Sequence, residues 1–302
     1  MSAFIAQKGC SLSQNLEDYP GGVILPLDKP WRWTSADLVR KVKYAVFRHF
    51  GSKHIKVGHA GTLDPLATGV LLICVGKATK QADALQAHEK EYVAGVSFGA
   101  TTPSYDREKD IDSFYPVDGI DAAAIEAVLP QFLGDQMQVA PLFSAKSVDG
   151  IRAYETARKM LREGLSVDGS DILKASPIHI SALELLDLCE GVPGDAACGQ
   201  NERSRKSALT DHSQIFTEGR AASAEFRSAG QRINVAELPA EGLRTATVRV
   251  QCSKGTYIRA LARDLGEALG SGAFLSSLRR TRSGDFRAEN CLSLPDCLEI
   301  LR

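Results

Sequence analysis

The segment that most constrains the fold is Val70–Val75, an unbroken apolar run whose length and branched side chains are typical of a fully buried strand. Period-two alternation predicts further strands, and amphipathic spacing predicts helices, one of them opened by a Thr34–Asp37 capping box. The predicted strands are Val23–Leu27, Tyr92–Phe98, His179–Leu188 and Thr245–Cys252, and the predicted helices are 34–50, 78–87, 122–129, 153–161 and 256–269. Because strands and helices mix without regular βαβ alternation, the sequence predicts an α+β fold.

The chain has 302 residues, enough for one large domain or two ordinary ones. We predict a polar lead-in over residues 1–20, a principal domain over 21–290, and a short tail over 291–302. Between about 191 and 240 the composition shifts to Gly, Ala, Ser, Asn, Gln and charge, which predicts a long polar surface insertion.

Local charge says more about partners than the net charge of −1. The stretch from Lys29 to Lys56 holds eight basic residues against one acidic residue, and Arg249 to Arg287 holds eight against three. Two such stretches can form one positive face for nucleic acid, or they can be ordinary solvated surfaces.

The seven cysteines show neither a C-x-x-C pair nor zinc-ligand spacing, so we expect a reducing compartment and no metal site. The first twenty residues contain no apolar run of signal-peptide length, and no stretch is long and apolar enough to span a bilayer. A cytoplasmic protein without a membrane partner is expected.

The segment from Gly58 to Gly69 is a predicted glycine-rich loop that carries Asp64 immediately before Pro65. Glycine lets the backbone turn tightly, and the proline biases Asp64 toward an extended conformation. On these grounds alone, turn formation explains Asp64 better than catalysis does.

Similar stretches recur in order along the chain and together carry a resemblance. They are Leu27-Asp28-Lys29-Pro30 with Thr34-Ser35; residues 56–71 around Asp64; Gly76-Lys77-Ala78-Thr79-Lys80; Lys90-Glu91-Tyr92; Gly99–Thr102 with Asp106; Pro141, Ser144–Lys146, Gly150, Ala153–Glu155 and Ala157-Arg158; Cys252–Arg259; and Leu278–Thr281 with Gly284 and Phe286. In these segments, over about residues 22–188 and 245–287, the chain resembles the TruB family of tRNA pseudouridine synthases.

The resemblance implies a mixed, largely antiparallel central sheet flanked by helices. It also implies isomerisation of uridine 55 in the T loop of tRNA to pseudouridine, without a cofactor, by a monomer. Asp64 matches the family's essential aspartate and would attack the flipped-out nucleoside. Attack at uracil C6, attack at ribose C1′ and a glycal route all remain open.

Three more residues match the family's catalytic surroundings. Arg259 matches an arginine that pairs with the aspartate, Tyr257 matches a tyrosine near C5 of the base, and Tyr92 matches the tyrosine on which the base stacks. Without the resemblance, Arg259 would be interpreted as a phosphate contact or surface ion pair, and Tyr92 as a core aromatic.

Four further residues match substrate-contacting positions. Leu278 would form an apolar wall of the uracil pocket, and His59 would lie near the flipped nucleotides. Lys29 and Lys80 would meet phosphates or hold the loop. The plain alternatives are a core leucine and a histidine with a local hydrogen bond.

The chain departs from the family at several points. Arg32 stands where the family usually has glycine, and Phe274 stands where bacterial members often have histidine. The 191–240 insertion is long for the family, and we expect no full C-terminal RNA-binding domain of the PUA type.

Two other functions are considered. A non-catalytic tRNA-binding or folding protein could retain the fold, but it would not need Asp64, Tyr92 and Arg259 together. A metal-dependent hydrolase or phosphotransferase would need an acidic cluster; Asp106, Asp110 and Asp112 come nearest and are interpreted as a solvated face.

Overall fold

The computed structural model describes residues 2–144, 146–148, 151–163, 172–192, 233–239 and 241–302. These residues divide into two compact units. The first holds residues 2–92, 233 and 278–302, and the second holds the described residues of 93–192 and 234–277. Most of the predicted insertion, residues 193–232, lies outside the described residues.

The strands are β1 (Phe4–Ile5), β2 (Val23–Lys29), β3 (Val57–Ala60), β4 (Ala67–Val75), β5 (Lys90–Phe98), β6 (Ala100–Thr101), β7 (Ser113–Phe114), β8 (Gly134–Gln138), β9 (Ser147–Val148), β10 (Ile151–Arg152), β11 (Ser176–Glu190), β12 (Arg244–Cys252), β13 (Ala273–Ser283) and β14 (Phe286–Arg287). The α-helices are α1 (Ser35–His49), α2 (Ala82–Ala87), α3 (Ala122–Val128), α4 (Ala153–Arg162), α5 (Ile258–Ala268) and α6 (Leu294–Ile300). Short 3-10 turns lie at Leu16–Asp18, Gly76–Gln81, Leu129–Phe132 and Ala288–Asn290.

In the first unit the strand order is β1-β2-β4-β13, with β3 also paired to β4 and β14 to β13. Strand β4 is antiparallel to β2 and β3 and parallel to β13. All nine residues of β4 are buried, as the apolar run predicts. Its register places Gly69 opposite both Lys29 and Arg280, so one end of β4 is surrounded by charged residues.

Helix α1 packs on this sheet through Leu38, Val42 and Val46, which join the core cluster of the first unit. Thr34 caps the helix: its side chain accepts a hydrogen bond from Asp37 N at 3.0 Å. The N-cap half of the predicted capping box is therefore confirmed, while the Asp37 carboxylate accepts from the Thr34 hydroxyl at 2.7 Å.

In the second unit the strand order is β13-β5-β12-β11-β8, over the residues that belong to that unit. Strand β11 is antiparallel to both β12 and β8. Helix α5 follows β12 after a tight turn at Gly255 and carries Tyr257 as its N-cap. Most of the pairings are antiparallel and helices flank the sheet, so the predicted fold class is confirmed.

The two ends of the chain are folded into the first unit. Strand β1, within the predicted lead-in, pairs in parallel with β2. Helix α6, within the predicted tail, buries Leu294 and Cys297 in the same core as α1. Leu292 forms backbone hydrogen bonds with Pro26 and Asp28, which ties the 291–302 segment to β2.

None of the helices in the described ranges combines the length and the apolar character that a bilayer crossing requires.

Candidate active site

Asp64 lies on a six-residue turn, 61–66, between β3 and β4. The loop is shorter than the predicted 58–69, because 57–60 and 67–69 are strand. Asp64 itself is partly exposed, while its neighbour Leu63 is buried at 4% exposure. The Asp64 carbonyl accepts from Ala67 N at 3.1 Å, which closes the turn. A partly exposed aspartate thus follows a buried leucine in this turn.

Side chains from other elements fix the backbone of this loop on either side of Asp64. The Ser35 hydroxyl lies 3.0 Å from both Leu63 N and Leu63 O and bonds both groups. Arg280 donates to the Val70 carbonyl at 2.7 Å and to the Thr62 carbonyl at 3.4 Å. Loops usually move more than the elements they connect, so this bracing is what a precisely placed carboxylate needs.

Lys29 braces the loop from inside. Its side chain is fully buried, and its ammonium group donates to the carbonyls of Pro30, Trp33 and Pro65 at 2.9, 2.6 and 3.2 Å. A buried cation is tolerated when such acceptors replace its water. Of the two roles predicted for Lys29, the contacts match loop holding, since the ammonium group is enclosed by protein carbonyls.

Arg32 adopts the left-handed backbone conformation, with φ of 63°, which accounts for glycine being usual at this position. Its backbone N–H donates to the Pro65 carbonyl at 2.9 Å. Its guanidinium lies 5.5 Å from the Trp31 ring centroid and donates to the Ile233 carbonyl at 2.6 Å. The turn after β2 therefore holds the residue that follows Asp64.

Asp28 and Arg279 form an ion pair at the same end of β4. The two guanidinium nitrogens lie 3.0 and 2.7 Å from the two carboxylate oxygens, a bidentate geometry. Asp28 also accepts from Gly69 N at 3.0 Å. This pair was not recognised in the sequence, where Arg279 counted toward a basic stretch and toward the family segment Leu278–Thr281.

The remaining candidates of the first unit differ in exposure. Tyr92 at the start of β5 and Leu278 in β13 are each 8% exposed. His59, in β3, lies with its ring Nδ1 at 3.1 Å from the Gly61 carbonyl, so this nitrogen carries the proton and donates. Lys80 is exposed in the 3-10 turn after β4. His59 therefore has the local hydrogen bond that its plain interpretation predicted.

Tyr257 and Arg259 belong to the second unit, at the start of α5. The Gln138 side chain fixes the Tyr257 backbone twice: Oε1 accepts from Tyr257 N at 2.9 Å, and Nε2 donates to the Tyr257 carbonyl at 3.2 Å. The Tyr257 side chain packs on an apolar cluster that includes Leu142 and Ala157. Sequence reasoning missed Gln138, which sits in a strand without a motif.

Arg259 is 5% exposed and held by the chain segment after β6. Its guanidinium donates to the carbonyls of Ser104 and Phe143 at 3.1 and 2.9 Å and lies 3.5 Å from an Asp106 carboxylate oxygen. The other Asp106 oxygen accepts from the Ser104 hydroxyl at 2.6 Å and from Glu108 N at 2.9 Å. The guanidinium is therefore fixed in place.

The interpretation of Asp106 as part of a solvated face is wrong, because it is 4% exposed and ion-paired. Asp110 and Asp112 are exposed as expected. Asp106 belongs to one of the family segments, but the polar sequence around it gives no sign that it is buried. Its role as a partner of Arg259 becomes visible only in three dimensions.

Comparison with known proteins places these features in a family. Residues 48–195 match the model of the TruB family pseudouridylate synthase N-terminal domain, and residues 259–302 match the model of the tRNA pseudouridylate synthase B C-terminal domain. The class is therefore that of the pseudouridine synthases, enzymes that isomerise uridine in RNA.

Relatives covering most of the chain refine this assignment. The tRNA pseudouridine synthase B of Phocaeicola vulgatus is 43% identical over 285 residues, 94% of this chain and 95% of the relative. That of Thermus thermophilus is 39% identical over 273 residues, 89% and 75% respectively. The chain belongs to the TruB family of pseudouridylate synthases.

A solved structure supports the fold. A chain of a Cbf5-Nop10-Gar1 complex aligns with a TM-score of 0.53 and 25% identity, over 92% of this chain and 54% of that one. The present chain thus spans about half of that larger protein.

Proposed function

We propose that this tRNA pseudouridine synthase isomerises uridine 55 in the T loop of tRNA, with Asp64 as the nucleophile. The observation that carries the proposal is the loop of Asp64, a partly exposed aspartate whose neighbours on both sides are fixed by Ser35, Arg280 and Lys29. Nucleophilic catalysis needs such positioning, because small displacements of a reacting group reduce the rate strongly.

The reaction breaks the bond between uracil N1 and ribose C1′ and forms a bond between C5 and C1′. The C5 proton then leaves and N1 gains a proton, so the product is an isomer and no cofactor is needed. A carboxylate can act by adding to uracil C6, by attacking C1′ or by assisting a glycal route. Each route uses the same group in the same loop.

Arg259, on the family resemblance, would pair with Asp64 and keep it ionised and oriented during the reaction. The fixed guanidinium supports this role, since Ser104, Phe143 and Asp106 leave it little freedom. Tyr257 would lie near C5 of the base and take part in the final proton removal. Its doubly bonded backbone supports a positioned ring.

Substrate contacts are proposed for the remaining candidates. The target base would be flipped out of the T loop and stacked on Tyr92, with Leu278 as an apolar wall. His59 would lie near neighbouring flipped nucleotides, and exposed Lys80 would contact a phosphate. Lys29 would act from inside, through the loop that it holds. We further propose that the protein acts as a monomer, which sedimentation analysis would test.

The alternative is a tRNA-binding protein that retains the fold without catalysis. Both functions predict salt-sensitive tRNA binding. They differ in whether Asp64 is needed for a covalent change in the RNA.

The test compares wild type, Asp64→Asn and the exposed control Asp110→Asn on an unmodified tRNA transcript, followed by pseudouridine mapping. We expect product at uridine 55 with wild type and the control, none with Asp64→Asn, and similar tRNA binding for all three. Product from Asp64→Asn would remove Asp64 from its role. Binding without product from wild type would support the binding protein, and product at another uridine would refute the assigned position.

A further inference from the structure

The turn that holds Arg259 contains an unusual backbone conformation at Tyr105. Its φ is 53°, in the left-handed region that residues with a side chain rarely adopt. The residue is nevertheless fixed: its N–H donates to the Thr102 carbonyl at 3.0 Å, and its carbonyl accepts from Leu275 N at 3.0 Å. Strained conformations of this kind persist only where surrounding contacts enforce them, and they cluster at functional sites.

The two residues beside Tyr105 in the chain are the ones that contact Arg259. Ser104 supplies a carbonyl at 3.1 Å, and Asp106 supplies a carboxylate oxygen at 3.5 Å, both to the same guanidinium nitrogen. In an extended chain, the backbone carbonyl of one residue and the side chain two residues later do not point toward the same atom. The left-handed residue between them turns the chain so that both reach one nitrogen.

The Tyr105 side chain makes a second contact with α5. The guanidinium of Arg263 lies 5.5 Å from the centre of the tyrosine ring, within the range of a cation–π interaction. Arg263 is one helical turn beyond Arg259 and therefore lies on the same face of α5. It is anchored in turn by the Val139 carbonyl at 3.1 Å and by Asp264 at 2.7 Å.

We propose that Tyr105 is a positioning residue for pseudouridine formation, acting through Asp106 and Arg259. Its backbone brings Ser104 and Asp106 to Arg259, and its ring on Arg263 fixes the turn along the same helix face. The effect passes to the reaction through the Arg259 guanidinium. The inference rests on the role proposed above for Arg259.

The test compares a variant that keeps the ring and the turn with one that loses both the ring and the rigidity of the turn. Tyr105→Phe keeps the ring, whereas Tyr105→Gly accepts the left-handed conformation without strain but removes the ring and loosens the turn. We expect kcat of Tyr105→Phe to stay within about twofold of wild type, and kcat of Tyr105→Gly to fall about tenfold with unchanged tRNA affinity. Phe114→Ala, at an aromatic 70% exposed in the same unit, is the matched control and should keep wild-type kcat.

A double-mutant comparison identifies the route of the effect. In an Asp106→Asn background, Tyr105→Gly should lower kcat no further, because both changes act on the same guanidinium. Three results would overturn the proposal. Tyr105→Gly could keep the wild-type kcat, or its loss of kcat could add fully to the loss caused by Asp106→Asn. The loss of kcat could also follow only the fall in melting temperature. Activity retained by Asp64→Asn would instead refute the proposed nucleophile. The kcat comparisons among the Tyr105 and Asp106 variants could still be interpreted in that case.

Discussion

At the scale of single residues, Lys29 offers the sharpest test of how the Asp64 loop is held. Lys29→Met keeps the apolar stem but removes the ammonium group, which leaves the carbonyls of Pro30, Trp33 and Pro65 without their shared donor. We expect a loss of about 2–4 kcal/mol in the free energy of unfolding. Urea denaturation measures it, with exposed Lys53→Met as control. Equal stability of the two variants would show that the carbonyls need no cation.

Tyr92 allows a second residue-scale test, because it is buried yet proposed to stack a base. Stacking contributes about 1–3 kcal/mol per base, so Tyr92→Ala should reduce kcat/KM by roughly 5- to 150-fold. Tyr92→Phe keeps the ring and should stay near wild type. Steady-state kinetics on tRNA and melting curves of the same variants test this. If the loss of kcat/KM is explained by the loss of folded protein, Tyr92 serves only the core.

The same scale shows where sequence reasoning stops. The resemblance supplied Asp64, Tyr257 and Arg259, but charge counting treated Arg279 and Arg280 as surface cations. They are 6% and 2% exposed and satisfy Asp28 and backbone carbonyls. Whether a cation can be buried depends on acceptors far away in the sequence, as Asp28 is for Arg279. No local pattern encodes that pairing, so the predicted positive faces are smaller than the counts suggest.

At the scale of elements, the close approach of β4 and β13 depends on Gly69. A Cβ there would lie 2.2 Å from the Arg280 carbonyl oxygen, and φ is 100°. Gly69→Ala should therefore destabilise the fold by at least about 2 kcal/mol, since both the strand pairing and the backbone conformation must change. Gly58→Ala, where a Cβ meets nothing within 4 Å, is the matched control in a denaturant titration. Similar denaturation midpoints for the two variants would show that β13 can shift at little cost in unfolding free energy.

Element prediction succeeded where burial leaves a simple pattern and failed where it does not. The run Val70–Val75 and the stripe on α1 were recognised because one period dominates each. Strand β13 was missed, since its sequence mixes Ser, Arg and Leu and its buried positions include charged side chains. Glycine in 57–60 likewise suggested a loop, although the pairing with β4 makes it strand.

At the scale of the whole molecule, buried thiols link stability to alkaline pH. Burial raises the pKa of Cys74 to about 11, and burial followed by Asp296 raises that of Cys297 to about 12. The pKa of a thiol in the unfolded chain is about 8.5, so above that pH the folded state keeps protons that the unfolded state loses. The stabilising contribution is full below that pH and is lost as pH rises toward the folded values.

The expected slope is up to about 1.4 kcal/mol per pH unit for each thiol. Cys74→Ala and Cys297→Ala should each flatten the fall of unfolding free energy between about pH 8.5 and 11, measured by urea titration against wild type. Parallel profiles for wild type and both variants would mean that other groups cause the alkaline loss.

The first unit is assembled from segments far apart in the chain: β2 bonds to Leu292, and the core around α1 includes Leu294 and Cys297. During synthesis from the N-terminus, residues 23–75 emerge from the ribosome more than two hundred residues before their partners in 292–297. The part of this core that Leu292, Leu294 and Cys297 cover must therefore stay exposed while the second unit is translated. The scaffold that holds the Asp64 loop is therefore among the last parts of the molecule that can be completed.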